Sequence, residues 1–150
     1  MIDRGRVGFT TEPTTERIDA WRVKLFCQAT GETDPVYWDE AAARAAGHCA
    51  CPVPTTFLKA IENEHFGGAE LLKLIDAPMR GVLHAGQSFE FHAPLHVGDE
   101  IEVGRRVADI HDKKNGAMTF VVVDTEYRSK ERVVATSRQT IVVRKEVAAA

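Results

Sequence analysis

The loop Gly31-Glu32-Thr33-Asp34-Pro35-Val36-Tyr37 is the stretch that decides the interpretation of this chain. The segment before it carries apolar residues three or four positions apart, as on one face of a helix: Ile18, Trp21, Leu25 and Ala29. We predict a helix that starts near Pro13, Thr14 or Thr15 and stops at Gly31, with this apolar face and the nearby Phe26 in the core.

Two further helices are predicted after the loop. Asp39 is typical of the residue that caps a helix, here Glu40 to Ala46, and Gly47 ends it. Pro52 and Pro54 then break the chain before a third helix, residues 55–62. One face of this third helix is apolar and is expected to pack against a sheet: Phe57, Leu58 and Ile61.

From Val82 onward the pattern changes to the two-residue period of strands. Phe89 and Phe91 alternate with polar residues, and Ile101 and Val103 begin another run. Asn115-Gly116 is a strong hairpin signal, and residues 129–132 indicate a second turn. We therefore predict a meander of four long antiparallel strands that follows a helical first half, in one α+β domain over residues 1–150.

Composition excludes several classes of protein. A net charge of −3 gives no reason to expect a nucleic-acid or anionic-membrane partner. The longest strictly aliphatic run is too short to cross a bilayer, and the first residues resemble no secretory signal. Three cysteines without framework spacing favour a reducing cytoplasm. His48-Cys49-Ala50-Cys51, with the distant His65, matches no standard zinc spacing, so no metal is expected.

Four segments in order resemble the MaoC-like (R)-specific enoyl-thioester hydratase and 3-hydroxyacyl-thioester dehydratase family. They cover the helix and loop of residues 22–37, the helix entry Pro52-Val53-Pro54-Thr55-Thr56-Phe57, the segment Leu83 to Phe91, and the turn Pro94-Leu95-His96-Val97-Gly98-Asp99. The family loop has the form Gly-Asp-x-Asn-Pro-aliphatic-His, and its Asp and His activate water. The resemblance implies a hot-dog fold, an antiparallel sheet wrapped around a central helix, and no cofactor.

This chain departs from the family loop at its catalytic positions. Glu32 stands at the Asp position, Asp34 at the Asn position and Tyr37 at the His position. A carboxylate in a dry cleft can act as a base near neutral pH, whereas a phenol titrates near ~10 and is suited to donate a hydrogen bond. The alternative is that Glu32 and Tyr37 are remnants of loop architecture and that Asp34 caps an Asx turn before Pro35.

Four residues are candidates for substrate binding. Amide groups near Thr55 and Thr56, at the start of the third helix, are placed to meet a developing enolate oxygen, or they form an ordinary helix cap. Phe57 is expected to help shape an acyl channel. His84, beside Gly86 at the head of a strand, either lines the cleft or makes a local hydrogen bond. His92 and His96 are expected at the surface or at a sheet edge.

The resemblance is closest to the accessory type of half in this family, such as the accessory subunit of the mycolic-acid 3-hydroxyacyl dehydratase. It implies reversible addition of water to a trans-2-enoyl-CoA or acyl-carrier thioester, in a heterodimer whose second hot-dog subunit supplies Asp and His. A homodimer that uses Glu32 and Tyr37 is one alternative. A non-catalytic acyl-thioester scaffold and a hot-dog thioesterase are two others.

Overall fold

The computed structural model describes residues 2–77 and 80–144. One five-stranded antiparallel sheet has the order β1-β3-β4-β5-β2. Its strands are β1 (Thr14–Arg17), β2 (Val82–Phe91), β3 (Glu100–Lys113), β4 (Met118–Ser129) and β5 (Arg132–Arg144). The helices are α1 (Ala20–Thr30), α2 (Glu40–Ala45), α3 (Phe57–His65) and α4 (Gly68–Leu74), with two short 3₁₀ turns at Arg4–Arg6 and Pro35–Tyr37.

Alternation along the strands gives the sheet a buried face and an exposed face. In β4, Val121, Val123, Thr125 and Tyr127 are buried, and their neighbours are more accessible. The predicted hairpin turn joins β3 to β4, where Asn115 and Gly116 both have positive φ. The buried face is therefore the one available to receive a helix.

Helix α3 occupies that face, which makes this a hot-dog fold. Phe57, Leu58 and Ile61 are at most 2% exposed and belong to the same cluster as Val103 and Tyr127 of the sheet. Their predicted burial is confirmed. Burying a side chain of this size contributes about 1.5–3 kcal/mol, so the contact between α3 and the sheet is a principal source of stability.

A network of charged and polar side chains connects α3 to the sheet. Glu62 is fully buried and accepts hydrogen bonds from Lys59 Nζ at 2.5 Å and Tyr127 Oη at 2.8 Å, while Arg105 Nη2 lies 3.3 Å from its Oε1. Burial works to raise the pKa of Glu62, but Lys59, Arg105 and Tyr127 outweigh it and leave that pKa below its usual value. Burial also raises the pKa of Tyr127, whose phenol stays protonated.

The predicted connectivity of the sheet was wrong in one respect. Strands β3, β4 and β5 form a meander, but β2 pairs with β5 instead of with β3. The first half also contains two elements that the sequence did not indicate: strand β1, which pairs with β3, and the short helix α4.

The prediction for the first helix was wrong at its start and on its buried face. Asp19, and not Pro13 to Thr15, precedes α1, because Thr14–Arg17 is strand β1. The buried residues of α1 are Val23 and Cys27, whereas Trp21 is 65% and Leu25 58% exposed. Trp21 is therefore not a core residue, and of the predicted face only Ile18, which precedes the helix, is fully buried.

The predicted end of α1 and both ends of α2 agree with the structure to within one residue, whereas α3 is displaced. Asp39 accepts a hydrogen bond from Ala42 N at 2.8 Å and caps α2, which ends one residue earlier than predicted, at Ala45. Gly31 ends α1 with φ 72°, the left-handed conformation that glycine adopts without strain. Helix α3 runs from Phe57 to His65 and not over residues 55–62, so Thr55 and Thr56 form the turn before it.

Candidate functional site

A pocket of about 400 Å³ opens where the loop of residues 31–37 meets the entry to α3 and the end of β2. Its walls are mainly apolar. They comprise Val36, Tyr37, His48, Pro52, Val53, Pro54, Thr55, Leu58, Phe91, His92, Ala93, Pro94, Leu95 and Ala135. The volume lies in the range of small-molecule sites in proteins, about 300–1,000 Å³. Three of the four sequence segments singled out above therefore meet here, and the end of the fourth, Phe91, reaches the same wall.

Backbone hydrogen bonds fix the walls of this pocket. Val53 N donates to Leu95 O at 2.8 Å, and Val97 N donates to Cys51 O at 2.9 Å, so the α3 entry and the 94–99 turn are held side by side. Thr55 lies at the rim and is exposed. These main-chain contacts fix the positions of two of the pocket walls relative to each other.

Glu32 and Asp34 bond to their own loop. Glu32 Oε1 accepts from the amides of Thr33 and Asp34 at 2.9 and 3.0 Å, and Asp34 Oδ1 accepts from Val36 N at 3.0 Å. Trp38 Nε1 donates to Glu32 O at 3.0 Å and closes the loop. Neither carboxylate residue is part of the pocket wall.

Tyr37 is the titratable residue of the loop that lines the pocket, next to Val36. Its pKa is raised by burial first, and further by the charges of Glu32 and Asp34 and by Cys27. The phenol therefore remains protonated at neutral pH and can donate a hydrogen bond, but it does not act as a base there. The same environment, burial first and then Glu32, raises the pKa of the buried Cys27 and keeps it a thiol.

The other predicted site residues are divided between the pocket and its surroundings. Thr55 lines the pocket, while Thr56 does not, and Phe57 lies behind it in the core. Phe57 N donates to Pro54 O at 2.9 Å, so that amide is already used within the turn. His84 lies elsewhere, on a different cavity of about 180 Å³ that Arg105 also lines.

Three polar side chains that were not predicted as a group form a row beside the pocket: His48, His96 and Asp99. His48 Nδ1 lies 3.2 Å from His96 Nε2, and His96 Nδ1 lies 3.8 Å from Asp99 Oδ2. Of the two histidines expected at the surface or at a sheet edge, His92 has a side chain that is 39% exposed, whereas His96 is only 13% exposed and pairs with Pro52 through an isolated bridge. Because 48 positions separate the two histidines along the chain, no local pattern could indicate their contact.

The structure also has a larger cavity, but polar side chains line much of it. This cavity, of about 1,080 Å³, lies across the strands, and its walls include Arg138 and Asp124, whose side chains pair at 2.7 Å.

Over residues 2–77 and 80–144, no group of three or more His, Cys, Asp or Glu side chains could hold a metal ion. His65 bonds to Glu16 at 2.7 Å. No helix in this part of the chain is long and apolar enough to span a membrane.

Comparison with known proteins gives the family. The model of the FAS1-like dehydratase domain region matches residues 6–137. This chain belongs to the FAS1-like dehydratase-region family. A UPF0336 protein of Streptomyces griseus is 27% identical over 134 residues, which cover 89% of each chain. A probable enoyl-CoA hydratase alpha subunit of Thermomonospora curvata is 33% identical over 132 residues, which cover 77% of this chain but only 41% of that protein.

The fold has close counterparts among solved structures. The truncated HadBC (3R-hydroxyacyl-ACP dehydratase) complex of Mycobacterium tuberculosis superimposes with a TM-score of 0.77 at 20% identity, covering 91% of this chain and 96% of that one. At this identity the likeness shows the fold alone. The predicted hot-dog fold and the resemblance to hydratases and dehydratases are thus confirmed for this member of the FAS1-like dehydratase-region family.

Proposed function

We propose that this chain is a subunit of an enzyme that adds water to, or removes it from, a trans-2-enoyl thioester carried by CoA or an acyl-carrier protein. The observation that carries the proposal is the apolar pocket at which the family segments converge. An acyl chain needs walls such as Leu58 and Leu95, and a thioester oxygen needs a hydrogen-bond donor, which the protonated Tyr37 offers.

A second hot-dog subunit is part of this proposal. Strand β2 lies at an edge of the sheet. Two of its large apolar side chains are exposed, Leu83 by 49% and Phe91 by 46%. Phe91 also stacks on Phe89 and lines the pocket. An exposed apolar edge strand calls for a partner. The Thermomonospora relative is named as an alpha subunit and the HadBC structure is a complex, which supports pairing here too.

The partner would supply the Asp and His of the intact signature. Glu32 is engaged by two loop amides and Tyr37 keeps its proton, so these two residues make a poor base at neutral pH. This arrangement disfavours both the homodimer that uses Glu32 and a thioesterase that relies on the same carboxylate. We place the assembly in the cytoplasm, in keeping with three cysteines that are all free.

Binding of butyryl-CoA, measured by calorimetry, tests the pocket without requiring turnover. Thr55→Trp puts an indole at the rim of the pocket and should weaken binding by at least about tenfold, or about 1.4 kcal/mol. Thr15→Trp adds the same group to exposed β1 and should leave binding unchanged. Equal binding by wild type and Thr55→Trp would contradict the assignment of the pocket.

A turnover assay distinguishes the proposed hydratase from a thioesterase and from a non-catalytic scaffold. With a partner subunit that has the intact loop, the chain should hydrate crotonyl-CoA, seen as loss of the enoyl-thioester absorbance, and should release no thiol from butyryl-CoA. Thiol release would indicate a thioesterase. Binding without turnover in the presence of that partner would indicate a scaffold.

A further inference from the structure

Asp99, His96 and His48 form a row that leads from the 94–99 turn to the pocket. The two imidazole rings have centroids 5.4 Å apart, and their nearest nitrogens, His48 Nδ1 and His96 Nε2, are within hydrogen-bonding distance at 3.2 Å. His96 Nδ1 faces the Asp99 carboxylate at 3.8 Å. His48 lines the pocket, and within the described part of the chain only its Nδ1 is engaged.

The main chain holds this row in place. His48 N donates to Ala43 O at 2.9 Å, directly after Gly47 turns the chain with φ 91°. An isolated bridge pairs Pro52 with His96, and Asp99 Oδ2 accepts from His96 N at 2.9 Å. The two histidines are therefore brought together by fixed backbone, as a catalytic arrangement requires.

We propose that His48 is an acid–base residue of this chain's own pocket, positioned by His96 and Asp99. The inference rests on the proposed function and deepens it, because it gives this subunit a proton-transfer group of its own, separate from the Asp and His that the partner contributes at its own site. The contact between the rings fits His48 Nδ1–H donating to His96 Nε2, which leaves the proton of the His96 ring on Nδ1, the nitrogen that faces the Asp99 carboxylate at 3.8 Å. His48 Nε2 then keeps its lone pair for water.

The chemistry balances with these groups alone. His48 Nε2 takes a proton from water as the water oxygen bonds to C3 of the enoyl thioester. The C2–C3 π electrons move to C2 and the thioester carbonyl, giving an enolate, and the His48 imidazolium returns the proton to C2. The His48 imidazolium donates to His96 Nε2, and the Asp99 carboxylate 3.8 Å from His96 Nδ1 adds a favourable negative charge. Tyr37 lines the same pocket and has a protonated hydroxyl that can donate to an enolate oxygen.

The test uses the chain alone, with crotonyl-CoA for turnover and butyryl-CoA for binding. Wild type should hydrate crotonyl-CoA, and His48→Ala should lower kcat by about 10²–10⁴-fold while still binding butyryl-CoA. Added imidazole should restore part of the activity of His48→Ala. His111→Ala is the control, since His111 also sits beside a carboxylate, Asp109, at 2.7 Å, but is not part of the pocket. It should keep full activity.

Two further variants distinguish a catalytic role of His48 from a structural one. His48→Gln retains an amide for His96 and should lose the same activity without responding to imidazole. His96→Gln breaks the link to Asp99 and should lower kcat with little change in KM. The inference is overturned if wild type binds butyryl-CoA but hydrates nothing alone, or if His48→Ala is as active as wild type. A wild type that neither binds nor turns over, even with a partner, removes the proposed function itself.

Discussion

Replacing Glu62 by Gln should be among the most destabilising conservative changes in the chain. The substitution keeps the shape of the side chain but removes a fully buried negative charge, leaving Arg105, whose side chain is 5% exposed, without its counter-ion. Loss of one partner from a buried ion pair costs about 3–5 kcal/mol. For a chain of this size that corresponds to a fall in Tm of roughly 6–20 °C.

Urea unfolding followed by circular dichroism measures this effect. Glu64→Gln is the matched control: the same substitution, two residues along the same helix, at a side chain that is 55% exposed and pairs with Arg22. It should cost less than about 1 kcal/mol. If Glu62→Gln proves too unstable to purify, Tyr127→Phe removes one hydrogen bond to the same carboxylate and should cost about 1.5–3 kcal/mol. Equal stabilities for the two Glu→Gln variants would refute the reasoning.

The free energy of unfolding should also depend on pH through the ionisation of Glu62. Because the pKa of Glu62 is lower in the folded than in the unfolded state, its stabilisation is present above the usual glutamate pKa, about 4.3, and is lost as pH falls through the folded value. Unfolding at pH 7 to 3 should show the gap between wild type and Glu62→Gln narrowing in acid, whereas a constant gap would contradict the assignment. Gly31→Ala should cost about 1 kcal/mol from its backbone conformation alone, because no atom lies within 4 Å of the added Cβ. Gly68→Ala, with equal space and ordinary φ, should cost nothing.

Local signals in the sequence were sufficient for several elements. Caps such as Asp39, glycines such as Gly31 and the Asn115-Gly116 turn act through neighbouring backbone, so their effect is visible in a few consecutive residues. The apolar face of α3 was also predicted, since Phe57, Leu58 and Ile61 leave no other face to bury.

Helix α1 shows where periodicity was insufficient. Two apolar faces compete on it, one with Trp21 and Leu25 and the other with Val23 and Cys27, and only the position of the sheet decides between them. The start of α1 was misplaced because Thr14–Arg17 pairs with β3, about 85 residues away, and short strands made by such distant pairing carry little local pattern.

The candidate site was predictable in outline and not in its detail. The segments that form the pocket could be recognised, but the side chains that matter inside it depend on contacts between them. The sequence makes Glu32 a candidate base. The structure shows that its carboxylate accepts hydrogen bonds from the amides of Thr33 and Asp34, which no sequence pattern indicated. His48 and His96 gave no signal because their pairing is created by the fold.

The position of β2 beside β5 has a consequence for synthesis on the ribosome. Strand β2 is made before β3 and β4, yet its partner in the sheet is the last strand to emerge. The hairpins β3–β4 and β4–β5 can close over short distances, whereas β2 has no partner strand until residues 135–143 leave the exit tunnel. Since Phe91 and Ala135 both line the pocket, the pocket is completed only when β5 pairs with β2.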